Sequence, residues 1–217
     1  MRKTFLIIIY MHITALVLNA AIVDISQFNA SYNDNLDTYG RLKWVEAMPI
    51  FENQAQIRRL NLKVADVTLW GISTTTGASY REGNFTCSIH PNTGSYLVNT
   101  SWCDMEIVFS NPAYKFGGFW GTNYFLPNAT AKFYDDAGIY LGQKTVNMPV
   151  SNSGSGIWMW NGWEFDVPVG RITISANHTN QLGLIFCDTL SYTPIPEPTT
   201  IMLLAIGGLL LKKRNTK

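Results

Sequence analysis

Charge is scarce in this 217-residue chain: Lys and Arg number 16, Asp and Glu 15, and together they make up 14% of the residues. The formal net charge of +1 offers no sequence-wide attraction for a polyanion, so no nucleic-acid partner is expected. Histidine is scarcer still, with His12, His90 and His178 far apart. No Gly-x-Ser-x-Gly elbow, His-Glu-x-x-His pair or phosphate-binding glycine loop occurs, and the expectation is a protein that is not an enzyme. Asp104 with Glu106, and Glu164 with Asp166, stand two apart, so each pair shares a strand face. That spacing suits a glycan hydrolase in principle, and a solvated strand face explains it more simply.

Cysteine is also rare. Cys87, Cys103 and Cys187 are odd in number, so at least one thiol stays unpaired, and they lack the close doublets of a zinc site. Cys87 with Cys103 is the preferred disulfide; it would close a modest loop between two strands and contribute on the order of 3 kcal/mol. Three free thiols are the alternative.

What the chain has in quantity is apolar and aromatic residues, at 47% and 13%. At the start, Arg2 and Lys3 precede an apolar run over residues 5–18 and the small residues Ala20 and Ala21, the layout of a secretory signal peptide over residues 1–21. Export through a Sec translocon with removal by signal peptidase follows, and in an exported body a disulfide can persist.

Residues 22–192 read as one all-β domain. Short β-branched and aromatic runs are separated by Gly, Asn, Asp and Pro, with strands expected at 59–70, 84–89, 96–101, 105–109, 130–134, 138–141, 163–167, 171–176 and 184–192. That number suits a two-sheet antiparallel β-sandwich of the jelly-roll kind. Asp135, Asp136, Ala137 and Gly138 form a hairpin turn, with Gly138 supplying positive φ. A short helix is expected over 41–47, residues 29–37 read as a polar arm or first loop, and residues 150–156 as a mobile loop.

Residues 193–217 change character. Pro194, Pro196 and Pro198 stiffen a spacer from which a helix can start only later. Residues 201–211 are almost wholly apolar, and Lys212, Lys213 and Arg214 follow as a basic stop, oriented to the cytoplasm by the positive-inside rule. As a helix the apolar stretch spans about 16 Å, short of a bilayer core of about 30 Å, so it suits a transient tether better than a permanent anchor.

With Pro196, Glu197, Pro198 and Thr199 ahead of that stretch, the tail resembles the PEP-CTERM sorting signal of exopolysaccharide-producing bacteria. The resemblance implies an exosortase partner that processes the tail near the tripeptide, and an inner-membrane tether that gives way to the cell surface or extracellular matrix, among exopolysaccharide. The second half of the body is similar to β-sandwich modules found ahead of such tails, through Phe116 to Phe119, Phe133 to Gly138, Trp160 to Trp163, Arg171 to Ile174 and Asp188 to Tyr192. The likeness implies a galactose-binding-like jelly roll and a calcium contribution from two adjacent aspartates on the final strand. Here Cys187 replaces the first, leaving Asp188 as the one candidate; no other cofactor is expected.

Trp158, Trp160 and Trp163 crowd one segment and are the candidate glycan contacts. Exposed as one flat patch they would form an aromatic platform; otherwise they are core. The five Asn-x-Ser/Thr sequons, at Asn29, Asn84, Asn99, Asn128 and Asn177, read as compositional in a bacterial protein. Two functions emerge as expectations: a non-enzymatic exported surface or matrix protein, and a carbohydrate-binding module.

Overall fold

The computed structural model describes residues 20–42, 44–61, 71–75, 80–82, 85–87, 89–100, 103–122, 128–150, 157–176 and 184–196. The signal segment before Ala20, the loop 151–156, and the tail from Glu197 onward, with its apolar stretch and basic stop, lie outside them. Among the described residues no helix is long and apolar enough to cross a membrane.

The described residues form thirteen strands and one 3-10 turn, at Asp37–Tyr39. The strands are β1 (Ile22–Asp24), β2 (Tyr32–Asp34), β3 (Ala47–Ile50), β4 (Ala55–Leu60), β5 (Ile72–Thr75), β6 (Tyr80–Glu82) and β7 (Phe85–Cys87). They continue with β8 (Leu97–Thr100), β9 (Asp104–Gly121), β10 (Asn128–Tyr134), β11 (Tyr140–Asn147), β12 (Met159–Ala176) and β13 (Ile185–Pro194). Every pairing between them is antiparallel, as the alternating pattern implied.

β9 and β12, each 18 residues long, are the frame. They pair along nearly their whole lengths, with register shifts between Glu164 and Val169 and between Val169 and Arg171. Pro112 and Pro168 sit in these shifts, where a residue without an N–H donor interrupts the ladder at least cost. The shifts bend both strands and divide the sheet into two layers. One layer runs β11, β10, the C-terminal half of β12, the N-terminal half of β9, β4, β3. The other runs β1, the N-terminal half of β12, the C-terminal half of β9, β13, β8, β5, with β2 on the C-terminal part of β13.

Alternation then fills the space between the layers. Ile57, Met105, Ile107, Phe133, Ile172 and Ile174 from the first layer meet Phe116, Trp120, Trp163, Phe165, Leu190 and Tyr192 from the second in one buried cluster. The rings bridge the layers: Phe133 stands 5.2 Å from Trp163 and 5.3 Å from Phe165, and Phe109 stacks on Tyr192 at 5.0 Å. A smaller cluster of Ile89, Leu97, Leu184 and Phe186 lies on the outer face of the second layer under Trp44 and Trp158.

Several expectations need correction. The runs at 163–167 and 171–176 are one bent strand, because Pro168 and Gly170 turn the ladder without ending it. The run at 59–70 begins earlier, at Ala55, and residues 62–70 lie outside the described ones. No helix forms at 41–47: Trp44 takes φ of 50°, Val45 bridges to Ile72, and β3 starts at Ala47; residue 43 lies outside the described ones. The Asp135–Gly138 turn forms as read, with Gly138 at φ 83°.

The polar arm is structural too. It pairs as β2, and the buried Asp34 carboxylate accepts hydrogen bonds from Leu36 N at 2.7 Å, Phe51 N at 2.9 Å and Tyr39 Oη at 2.8 Å. Asp34→Ala strands three donors, and we expect a loss of about 3 kcal/mol, read as a lowered urea midpoint with an unchanged slope. A midpoint equal to that of the parent protein contradicts this role.

Candidate functional site

Parity in β12 separates Trp160 from Trp163, and Trp158 lies just before the strand. Trp163 points between the layers, stacked 6.3 Å from Phe116, and is 1% exposed, so it is core and its expected glycan contact is corrected. Trp160 points to the outer face of the second layer, where Gly117 and Gly162 stand directly opposite each other. Its indole lies over this pair, and a Cβ at either glycine would collide with the ring. Its Nε1 donates to the Ile25 carbonyl at 3.0 Å, and Phe28 meets it edge-on at 6.1 Å. Trp158 is half-buried, and its Nε1 donates to the His90 carbonyl at 2.9 Å. The two half-buried tryptophans hold covering segments against the sheet, and the three do not form one flat platform.

Trp160 nevertheless borders open space. Where the β1–β12 edge of one layer faces β11 of the other, a cleft of about 370 Å³ is lined by Trp160, Asn161, Asp24, Lys144, Thr145 and Asn147, among others. Lys144 Nζ and Asp24 Oδ2, 2.8 Å apart, bridge the two edges. The Asn161 amide accepts from Asn147 N and donates to Asn147 O, both at 2.9 Å, tying the layers behind the cleft. An indole edge beside a carboxylate, an ammonium and hydroxyl or amide groups can contact the C–H and O–H groups of a sugar ring. Asp24, Lys144 and Asn147 were not singled out by the sequence. No local motif joins them, since the ion pair spans 120 residues, and only the alternation of β11 marks which of its side chains face outward.

Asp188 lies on the same outer face, opposite Phe119, and is fully buried. Its Oδ2 accepts from Asn92 N at 2.6 Å and Thr93 N at 3.0 Å, and its Oδ1 from Thr189 N at 2.6 Å. Asp37 Oδ1 accepts from Ser95 N and Tyr96 N, so two carboxylates fix one loop about Gly94, which takes φ of 65°. N–H donors surround Asp188 where calcium would need oxygen ligands, so its neighbours fit an anion clamp and do not fit the calcium role. Among the described residues no group of three His, Cys, Asp or Glu is placed to hold a metal.

The paired carboxylates do not flank this cleft. Glu164 receives the Tyr114 hydroxyl at 2.7 Å and lies 3.1 Å from Lys115 Nζ; those two contacts hold it below the usual carboxylate range. Glu106 lies 3.7 Å from Arg171 on the outer face of the other layer. Cys187 is buried, and burial first, then Asp188 and Asp34, push its thiol well up. Cys103 is also buried, while the Cys87 side chain lies outside the described residues, and with it the expected pairing. Of the sorting motif only Pro196 is described, exposed at the end of the chain leaving β13.

No family model and no curated protein sequence matches the chain. Among solved structures it is similar to the K2 cleaved adhesin domain of Lys-gingipain, with a TM-score of 0.48 and 12% identity over 75% of this chain and 97% of that one. A DUF4465 family protein from Bacteroides caccae gives 0.42 and 10% over 84% and 96%. The family 11 carbohydrate-binding module of a Clostridium thermocellum cellulosomal cellulase gives 0.34 and 11% over 78% and 96%. Likeness at this level assigns neither ligand nor activity.

The Asp188 clamp predicts a pH signature. Burial raises its pKa to about 6 from the ordinary 3.8, against the pull of the three backbone N–H bonds and with a smaller upward push from Asp37. A folded pKa above the unfolded one means that the native state binds the proton more tightly. The contribution is therefore full below about pH 4 and falls away as pH rises through about 6, by on the order of 2–3 kcal/mol. Asp188→Asn should flatten that segment of the stability–pH curve, because the neutral amide takes up no proton there. An unchanged pH profile contradicts the dominance of burial over the three N–H bonds at Asp188.

Proposed function

We propose that this is a non-enzymatic exported protein whose β-body contacts a polysaccharide chain at the Trp160 cleft, and which an exosortase delivers to the cell surface or extracellular matrix. The observation that carries the binding half is the cleft itself, where a half-buried indole on a glycine floor stands beside Asp24, Lys144 and Asn147. Carbohydrate recognition needs apolar contact for the C–H faces of a ring and polar groups for its hydroxyls, and the cleft supplies both.

The setting of Glu164 favours binding over hydrolysis. A general acid for glycosidic cleavage works with a raised pKa, and Glu164 is lowered by its Tyr114 and Lys115 partners. The delivery half rests on the sequence of the two ends: the signal-peptide layout before Ile22, and Pro196, Glu197, Pro198 and Thr199 followed by the apolar stretch and the basic stop at Lys212, Lys213 and Arg214.

Each half has its own test. In affinity electrophoresis through gels containing extracellular polysaccharide from the producing cells, the parent protein should be retarded. Lys144→Ala, at a side chain still partly open to solvent, should lose much of the retardation and Trp160→Ala nearly all of it. Equal retardation of parent and both variants removes the cleft from the reading. For delivery, mass spectrometry of the protein recovered from the matrix should find its C-terminus near Pro198. An intact C-terminus that retains Lys212 to Arg214 contradicts exosortase processing.

A further inference from the structure

A second cavity, of about 350 Å³, opens beside β2 and shares no lining residue with the Trp160 cleft. One wall is the polar segment 31–39, which carries Tyr32, Asn33, Asn35 and Tyr39; the other is the β3–β4 turn, which carries Glu52 and Asn53.

The turn is strained. Phe51, Glu52 and Asn53 take φ of 53°, 55° and 71°, three successive L-residues in the left-handed region. Asn tolerates that region, whereas Phe and Glu are disfavoured in it by about 1–2 kcal/mol each. A plain four-residue hairpin does not require this conformation, and the surroundings enforce it. Asp34 Oδ2 holds Phe51 N at 2.9 Å, and the Phe51 ring is buried 5.3 Å from Tyr192 and 6.5 Å from Phe116. Gln54 N bonds back to Phe51 O at 2.9 Å, while Gln54 O accepts from Ser110 N at 2.8 Å. The turn is thereby fixed with Glu52 and Asn53 exposed at the cavity mouth. Strain maintained by a rigid setting is characteristic of ligand-holding segments.

The opposite wall is equally fixed. Tyr39 donates its hydroxyl hydrogen to Asp34, and burial together with that carboxylate pushes its pKa up, so the ring stays a neutral phenol with its oxygen available as an acceptor. Tyr32 is stacked on Tyr192 at 5.6 Å. Asn33, on the opposite face of β2, anchors the strand through a 2.8 Å bond from Ser191 Oγ to its Oδ1.

We infer that this cavity is a second carbohydrate site, selective for neutral sugar residues. Sugar hydroxyls are donors and acceptors at once, which the Asn53 amide and the Glu52 carboxylate match, while the tyrosine rings offer apolar surface to the C–H face. The lining has carboxylates and no Lys, Arg or His, so uronate, sulfate or phosphate groups meet like charge without a counter-ion. The site is independent of the Trp160 cleft and stands if that cleft fails.

The test uses the full-length chain in a non-glycosidic detergent, with cellotriose, laminaritriose and mannotriose as neutral probes and trigalacturonic acid as the charged one. Binding is followed by shifts of the tyrosine-ring resonances. At least one neutral trisaccharide should shift Tyr32 and Tyr39, and trigalacturonic acid should not. Asn53→Gly removes the amide while keeping a residue at home at positive φ, so stability should hold or rise while affinity falls at least tenfold. Trp160→Ala should leave these shifts in place. The inference is overturned if no neutral probe shifts the two rings, if Asn53→Gly binds as well as the parent, if trigalacturonic acid binds equally, or if binding requires added calcium.

Discussion

The ladder between β9 and β12 is the constraint on which the rest of the structure depends. Two strands of 18 residues remain partners across a corner, so each belongs to both layers and neither layer is complete without the other. The corner is made by interrupting the ladder where Pro112 and Pro168 have no hydrogen to donate. Gly170 completes it, since a Cβ there would press on the backbone of Asp136 and push the β10–β11 turn away. The aromatic core follows, because bringing Phe109, Phe133 and Ile172 over Phe116, Trp163 and Tyr192 buries large rings from both layers in one space.

The same ladder shapes the surfaces available for function. Gly117 opposite Gly162 leaves a bare strip on the outer face of the second layer, and Trp160 lies down on it. The chain between β1 and β2 then crosses that face, tied at Ile25 and Phe28 to the indole and at Ser31 to Thr193. Both clefts lie along this crossing segment, one where it leaves β12 and the other where it joins β13. Residues just after the expected signal-peptide junction are thus working parts of the fold.

The sequence made the alternating elements legible. The strands at 96–101 and 130–134 follow from period-two patterning, and the Asp135–Gly138 turn from its turn residues. Length was not legible: Pro112 and Pro168 read as strand breaks, because only a partner strand that bends with them keeps the ladder going. The segment at 29–37 read as a polar arm or first loop because its polarity has no local explanation. Asp34 is satisfied by Phe51, 17 residues away, and Asp188 by Asn92, 96 residues away. Carboxylates that accept distant backbone N–H groups look like solvated ones until the chain is folded. For the same reason Trp160 was visible as a candidate contact and its neighbours Asp24 and Lys144 were not.

Amide hydrogen exchange along β9 and β12 as urea is raised tests the shared frame most directly. If one ladder holds both layers, protected amides at residues 105–109 and 171–176, in the first layer, and at 115–121 and 159–165, in the second, should report the same opening free energy and merge into global unfolding together. Two groups with separate free energies, divided at the corner by Pro112 and Pro168, would contradict it.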